Sequence, residues 1–456
     1  MYLHETETEF PVDNRRGSIL EQVSSGIGRH ISDDEMPVRI VITESTGGRY
    51  RCEVALLRDH QDLAPSHEAS VLRFRRRLID NSQSFNAVLL VPTGVGAEIG
   101  GHAGDATPVA TLLASICDTL ITHPNVLNGS DLIDISGNTL YVEGSAISRL
   151  LMGSIGLQPV RANRVLVVVD AHRDEFFVDA AINAVNAARS SYGLICPMVL
   201  RLDPPLDMRS QYMGSGRVGG TVEGIGRLVA CLEDNRRSFD AVAISSVISV
   251  PLSYHIDYFE SDGNMLNPWG GVEAMLTHTV STLFDVPSAH SPMLENQEIA
   301  NMETGVVDPR MAAEAISLTF MQSVLKGLQK SPKIVADPEA TGHHGVLTAG
   351  DVSCLVIPDG CLGLPTLAAL EQGIPVIAVR ENRTVMKNDL TFLPWAPGQF
   401  HLVENYWEAA GVMAALKAGI DPKAVRRPLL QTAVRTSAAP VLSRPESVAI
   451  GPTADD

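Results

Sequence analysis

No run of roughly 18 uncharged apolar residues occurs in the chain, so no helix is expected to cross a bilayer. The opening residues, MYLHETETEFPVDNRR, lack a basic segment followed by an apolar one, which argues against a secretory signal there. Neither a C-x-x-C nor an H-E-x-x-H spacing is present. The six cysteines, Cys52, Cys117, Cys196, Cys231, Cys354 and Cys361, are scattered, so they read as reduced thiols and no metal site is expected. Positive charge is short as well: 35 Lys and Arg stand against 53 Asp and Glu, a net charge of −18. Such a surface repels phosphate backbones and anionic lipid, so neither nucleic acid nor a membrane is an expected partner. The expectation is a cytoplasmic protein that handles a small molecule, with a homo-oligomer left open.

What is present is globular. Hydrophobic residues make up 45% of 456 residues, a length beyond what one core usually serves. Residues 1–36 are polar and read as a flexible arm, and 37–82 as an N-terminal accessory α+β unit: VRIVIT and YRCEVALL flank the turn ESTGGR, and 68–80 has helical spacing. From Phe85, short apolar strands such as NAVLLVP, RVLVVVDA, DAVAISSV, SCLVIP and PVIAV alternate with helices predicted near 107–116, 174–190, 222–234, 270–284, 311–329, 365–372 and 406–418. Uniformly apolar strands alternating with helices indicate parallel sheets buried on both faces. The expected fold is therefore α/β, with two Rossmann-like lobes of mainly parallel sheet: 83–160 and 161–330 as a core, 331–437 as a second unit, and 438–456 as a disordered tail. The long connections 203–220 and 251–268 read as functional or mobile.

The first glycine-rich loop lies in VPTGVGAEIGGHAGDATPV, 91–109. Some fifteen residues separate Pro92 from the helix start at Thr107 and Pro108, too many for a dinucleotide turn, and Glu98 would oppose a pyrophosphate. A ligand cradle at the end of a parallel strand fits better: Thr93, Gly94, Gly96, Gly101 and His102 would hold an anion, with Asp105 assisting.

The second loop lies in SCLVIPDGCLGLPTLAALEQGIPVIAVREN, 353–382. It reads as strand, loop, proline-initiated helix and strand, with Asp359, Gly360 and Gly363 in the loop and Glu381 and Asn382 at the second strand's end. Cys361 precedes a helix N-terminus, where free N–H groups favour thiolate, and is the leading catalytic candidate beside a packing role.

This loop resembles the second cysteine loop of the aspartate/glutamate racemase and arylmalonate decarboxylase superfamily, over about twenty residues. That resemblance implies proton movement beside a carboxylate by Cys361, although Thr93 stands where the first cysteine would be. The same unit is similar to the nucleotide half of sugar-nucleotide epimerases and glycosyltransferases, since Glu381 follows Gly360 at the separation of a ribose-binding acid; a nucleotide at 358–382 is the one cofactor admitted. Over a larger span, Phe85 to Ile420, the chain resembles a bacterial family known only as a domain of unknown function. VPTGVGAEIGGHAGD, NGSDL, YVEGSAISRLLMG, NRVLVVVDA and AVRENRT carry that likeness.

Further polar candidates are Asn128, Asp131 and Glu143 after the early strands, Asp170 after the most apolar strand, and Asn267, Gly270 and Gly271 at a helix start. His278 is a further acid/base candidate; Glu273, five residues earlier, does not share a metal-binding face with it. The run Arg73, Arg75, Arg76 and Arg77 reads either as a solvated face or as an anion clamp. Together these predict an enzyme acting on a small anionic, carboxylate-bearing metabolite by proton-transfer or lyase-type chemistry, with Cys361, Asp105, Asp170 and His278 catalytic. A sugar-nucleotide transferase or epimerase and a non-catalytic binding protein are the alternatives.

Overall fold

The computed structural model describes residues 1–60, 71–336 and 345–436. The larger of its two main sheets is curled and mixed. It contains β1 (Tyr2–Pro11), β2 (Glu35–Glu44), β3 (Arg49–Arg58), β8 (Val165–Asp170), β9 (Val199–Leu202), β10 (Asp207–Tyr212), β11 (Val218–Glu223), β12 (Ala241–Ser249), β13 (Ser288–Met293) and β16 (Leu362–Gly363). The order is β16-β2-β3-β1-β11-β10-β12-β8-β9, with β13 also paired to β12. The other sheet holds β4 (Asn86–Leu89), β5 (Thr119–Thr122), β6 (Thr139–Tyr141), β15 (Val352–Pro358), β17 (Val376–Val379) and β18 (Phe400–Val403). It is parallel throughout, in the order β18-β17-β15-β4-β5-β6, so the chain winds outward in opposite directions from the adjacent pair β4 and β15. A short ladder joins β7 (Gly156–Gln158) to β14 (Lys333–Val335).

Helices α2 (Thr107–Ala114), α3 (Pro124–Leu127), α4 (Gly144–Leu151), α12 (Leu364–Gln372) and α13 (Tyr406–Lys417) belong with the parallel sheet. The remaining helices are α1 (Ile19–Gly28), which packs between β1 and α12, and α5 (Glu175–Tyr192), α6 (Ile225–Asp234), α7 (Leu252–Glu260), α8 (Gly270–Phe284), α9 (Gln297–Ala300), α10 (Ala312–Ala315) and α11 (Met321–Gln329). Of these, α5, α6, α8 and α11 pack on strands of the mixed sheet. The apolar runs of the sequence have a direct cause. Successive β4 residues enter different cores, Ala87 and Leu89 on one side and Val88 and Leu90 on the other. In β8, Val165, Val167 and Val169 face one core while Leu166 and Val168 face another. Strands covered on both faces need apolar residues at every position.

Several sequence expectations change. The polar start is no flexible arm: β1 pairs with β3 along its whole length and with β11. Its acidic residues are cross-strand partners, Glu7 with Arg51 at 3.2 Å and Glu9 with Arg49, while Leu3 and Phe10 are buried. The stretch 37–82 is no separate unit, because β2 and β3 share a sheet with β8–β13; likewise 83–160 and 331–437 supply the two halves of one parallel sheet. No helix covers residues 71–80. Arg76 and Arg77 instead donate to carbonyls at the end of α12, Glu371, Gln372 and Gly373, so these two arginines strap a helix terminus rather than clamp a ligand. The helix expected at 311–329 breaks into α10 and α11, and 203–220 contains the antiparallel strands β10 and β11. The tail from Ala438 lies outside the described residues.

Candidate active site

A cavity of about 300 Å³ opens between the carboxyl ends of β4, β5 and β6 and the face of α8 and β13. Thr93 follows β4, His123 follows β5 and Glu143 follows β6, so three neighbouring strand ends each deliver a polar side chain to one place. Opposite them, α8 presents Gly270, Glu273, Ala274, Thr277 and His278. Those positions form one broad helical stripe, with Glu273 and His278 on its opposite edges and both lining the cavity. A second cavity of about 100 Å³ has Thr93, His123, Gly144, Ala274 and His278 in common with the first, and Arg39 and Cys361 also line it.

In the wall of the larger cavity Glu143 meets His278, with Oε1 of the one 3.1 Å from Nε2 of the other. Glu143 is the N-cap of α4: its other oxygen accepts from the N–H groups of Ser145 at 2.9 Å and Ala146 at 3.3 Å, which fixes the carboxyl group. Gly144 allows the approach, since a Cβ there would stand 2.9 Å from His278 Nε2. Burial pushes the Glu143 carboxyl up to about 7. Burial, and next the Arg39 cation, hold His278 down at about 3. The buried pair is thus pressed toward its uncharged form, and its proton count changes near neutral pH. His123 is pushed down to about 3 as well, by burial first and then His278. Its Nε2 accepts from the Val91 N–H at 3.1 Å, so the neutral ring carries its proton on Nδ1.

Two further networks border the cavity. His290 Nδ1 lies 3.1 Å from Glu273 Oε1, and its Nε2 lies 2.8 Å from Ser246 Oγ. Ser246 is fully buried and lines neither cavity, so this arrangement orients His290 rather than presenting a nucleophile. Glu314 Oε1 accepts from Ala103 N at 2.8 Å and Asn267 Nδ2 at 3.2 Å, and burial pushes its carboxyl up to about 7. His102 Nδ1 lies 2.7 Å from Tyr258 OH. Among the described residues, no group of three or more His, Cys, Asp or Glu is placed to hold a metal.

Of the residues singled out in the sequence, Thr93, Gly94, Gly101, His102, Asn128, Glu143, Asn267, Gly270 and His278 line the larger cavity, and Cys361 and Gly363 the smaller. Part of the first loop is engaged within the fold through its N–H groups. Gly100 and His102 donate to Asp105, Ile99 donates to Asn382, and Glu98 to the Arg383 carbonyl. Asp105 and Asn382 are therefore loop supports, and Gly96 packs against Leu266. Gly271 faces away from the cavity, its carbonyl taking a hydrogen bond from Arg39 at 3.2 Å. Asp131 receives Thr319 Oγ1 and the Gln322 N–H and anchors the start of α11. Asp170 accepts from Leu206 N at 3.1 Å at the end of β8 and lines neither cavity. Asp359 accepts from the Gly360 N–H, and the Gly360 carbonyl accepts from Asn388. Glu381 is exposed and lines neither cavity. Cys361 does not gain thiolate character from α12: its burial outweighs the helix terminus and pushes the thiol up to about 12.

Sequence reasoning missed Arg39, His123, Glu273, His290 and Glu314. The stripe at 270, 273, 274, 277 and 278 could have indicated Glu273, and the strand-end position could have indicated His123. Nothing local marks Arg39, which stands in an apolar strand.

The fold and cavity define an α/β protein with a buried glutamate–histidine pair between a parallel and a mixed sheet. By sequence the chain belongs to the family described as protein of unknown function (DUF3326), whose model matches residues 86–426. It is 33% identical over 350 residues to an uncharacterised lipoprotein of Synechococcus sp., covering 75% of this chain and 94% of that relative. No solved structure matches. Among the described residues, no helix is long and apolar enough to cross a membrane.

Proposed function

We propose that the chain is an enzyme that moves a proton on a small anionic metabolite held in the larger cavity, with Glu143 and His278 as the acid/base pair. The observation that carries this reading is their buried 3.1 Å contact in the cavity wall, with Glu143 raised to about 7 and His278 kept neutral. A substrate C–H bond beside a carbonyl breaks: its electron pair becomes a C=C bond, the carbonyl π pair moves onto oxygen, and the proton passes to the Glu143 carboxylate. Returning the proton to carbon completes an isomerisation; loss of a neighbouring group instead gives a lyase. His123, as a neutral Nδ1–H donor, is suited to the developing oxyanion. We read the parallel sheet as a Rossmann-like lobe, because its strand order reverses between β4 and β15 and the loops after those strands both reach the cavities. Cys361, held as a thiol, becomes a wall of the smaller cavity.

The test is solvent exchange. The protein is incubated with a mixture of small carboxylic acids in deuterium oxide, and mass spectrometry follows mass gain. At least one acid should gain deuterium with the wild type, and Glu143→Gln should slow that gain by roughly two to four orders of magnitude. Exchange at an undiminished rate in Glu143→Gln, or none with any acid, rejects the proposal.

A further inference from the structure

The smaller cavity contains a feature that proton transfer does not use. Arg39, from β2, is 7% exposed and lines this space. Its guanidinium donates to the carbonyls of Gly271, at 3.2 Å, and Thr93. Among the described residues, no carboxylate lies within ion-pair distance of it. Of the nearby acids, Glu5 and Glu53 are both in contact with Arg217 and Glu143 with His278, so they compensate Arg39 only at longer range. Burial lowers Arg39 to about 10, which still leaves it a cation at neutral pH.

We infer that Arg39 and the smaller cavity form the subsite for the carboxylate of an alkyl monocarboxylic acid, whose neighbouring carbon then lies toward His278. This rests on the proton-transfer reading of His278 and Glu143 for its consequence, not for the binding itself. Three observations support it. A buried guanidinium with spare N–H groups is matched by the two oxygens of a carboxylate. Most of the remaining wall is apolar, including Ile40, Val41, Leu90, Ile357 and Leu364, which suits an alkyl group and a single charge better than a hydrated phosphate. His278 Nδ1 is buried, and its ring borders the same space. Arg39 also lies outside the stretch 86–426 matched by the family model, so the N-terminal hairpin supplies the charge that selects the substrate.

The probes are isobutyrate, its neutral counterpart isobutyramide, and inorganic phosphate, each titrated into the full chain by calorimetry. Isobutyrate should bind saturably, and the other two should not. Arg39→Met, checked for folding by circular dichroism, should weaken isobutyrate binding by about ten- to a hundredfold. If Arg39→Met does not fold, Ser148→Leu fills the same cavity and leaves the guanidinium in place, and it should likewise abolish binding. No binding by wild type at roughly 10 mM, equal binding by the folded variant, or phosphate binding as tight as isobutyrate binding would each overturn the subsite. Arg39-dependent binding without any deuterium exchange rejects proton transfer alone, whereas exchange with Arg39-indifferent binding rejects the subsite alone.

Discussion

At the scale of single residues, burial decides which group can act. Cys361 sits before a helix, and position alone suggests a reactive thiolate. The dipole at a helix terminus contributes a fraction of what full desolvation costs an anion, so the thiol rises to about 12 instead of falling. Cys361 should therefore react with iodoacetamide more slowly than the half-buried Cys196 and Cys231, whose positions can be read by peptide mass mapping. Fastest labelling at Cys361 would restore it as a chemical residue. The same burial has the opposite use at Glu143. A carboxyl raised to about 7 holds its proton where an ordinary carboxyl would have lost it, and the neutral His278 at 3.1 Å orients it by a hydrogen bond.

At the scale of elements, strand ends collect the site and strand faces explain what was legible. The runs at β4, β8, β12 and β15 could be read from sequence because cores on both sides demand apolar residues throughout. Strands β1, β10 and β11 could not, since their polar residues are satisfied across the sheet or by solvent, and such pairing leaves no local mark. Strand ends after β4 and β6 drew attention to Thr93 and Glu143, whereas Arg39 is recruited from a strand remote in sequence. Asp170 shows how a strand end can mislead. Its carboxyl supports the turn at Leu206, and burial raises it from 3.8 to about 7. A carboxyl raised in the folded state stabilises below its unfolded value and loses that contribution as pH climbs to the folded one, here between about pH 4 and 7, worth about 4 kcal/mol. Asp170→Asn keeps an acceptor but does not titrate. In urea titrations it should match wild type near pH 4 and exceed it near pH 8; an equal change at both would refute the account.

At the scale of the whole molecule, the N-terminal strands join what would otherwise be two separable halves. β1 lies inside the mixed sheet between β3 and β11, so it ties the hairpin carrying Arg39 to the strands that lead toward α8. The chain before residue 86 is not covered by the family model, yet it supplies one wall of the smaller cavity. A loose arm would tolerate change at Leu3, since truncating a solvated side chain usually moves stability by less than about 0.5 kcal/mol. In the sheet, Leu3 has no exposed surface and packs with Leu57, Val222 and Ile225 in the core beside α6. Leu3→Ala should accordingly cost about 2–5 kcal/mol in equilibrium urea unfolding, the range for a leucine removed from a core that only partly collapses. Because β1 bridges both sides, that loss should appear in one transition, with fluorescence and circular dichroism coincident. A second transition, confined to the N-terminal strands, would show that they fold as an independent unit after all.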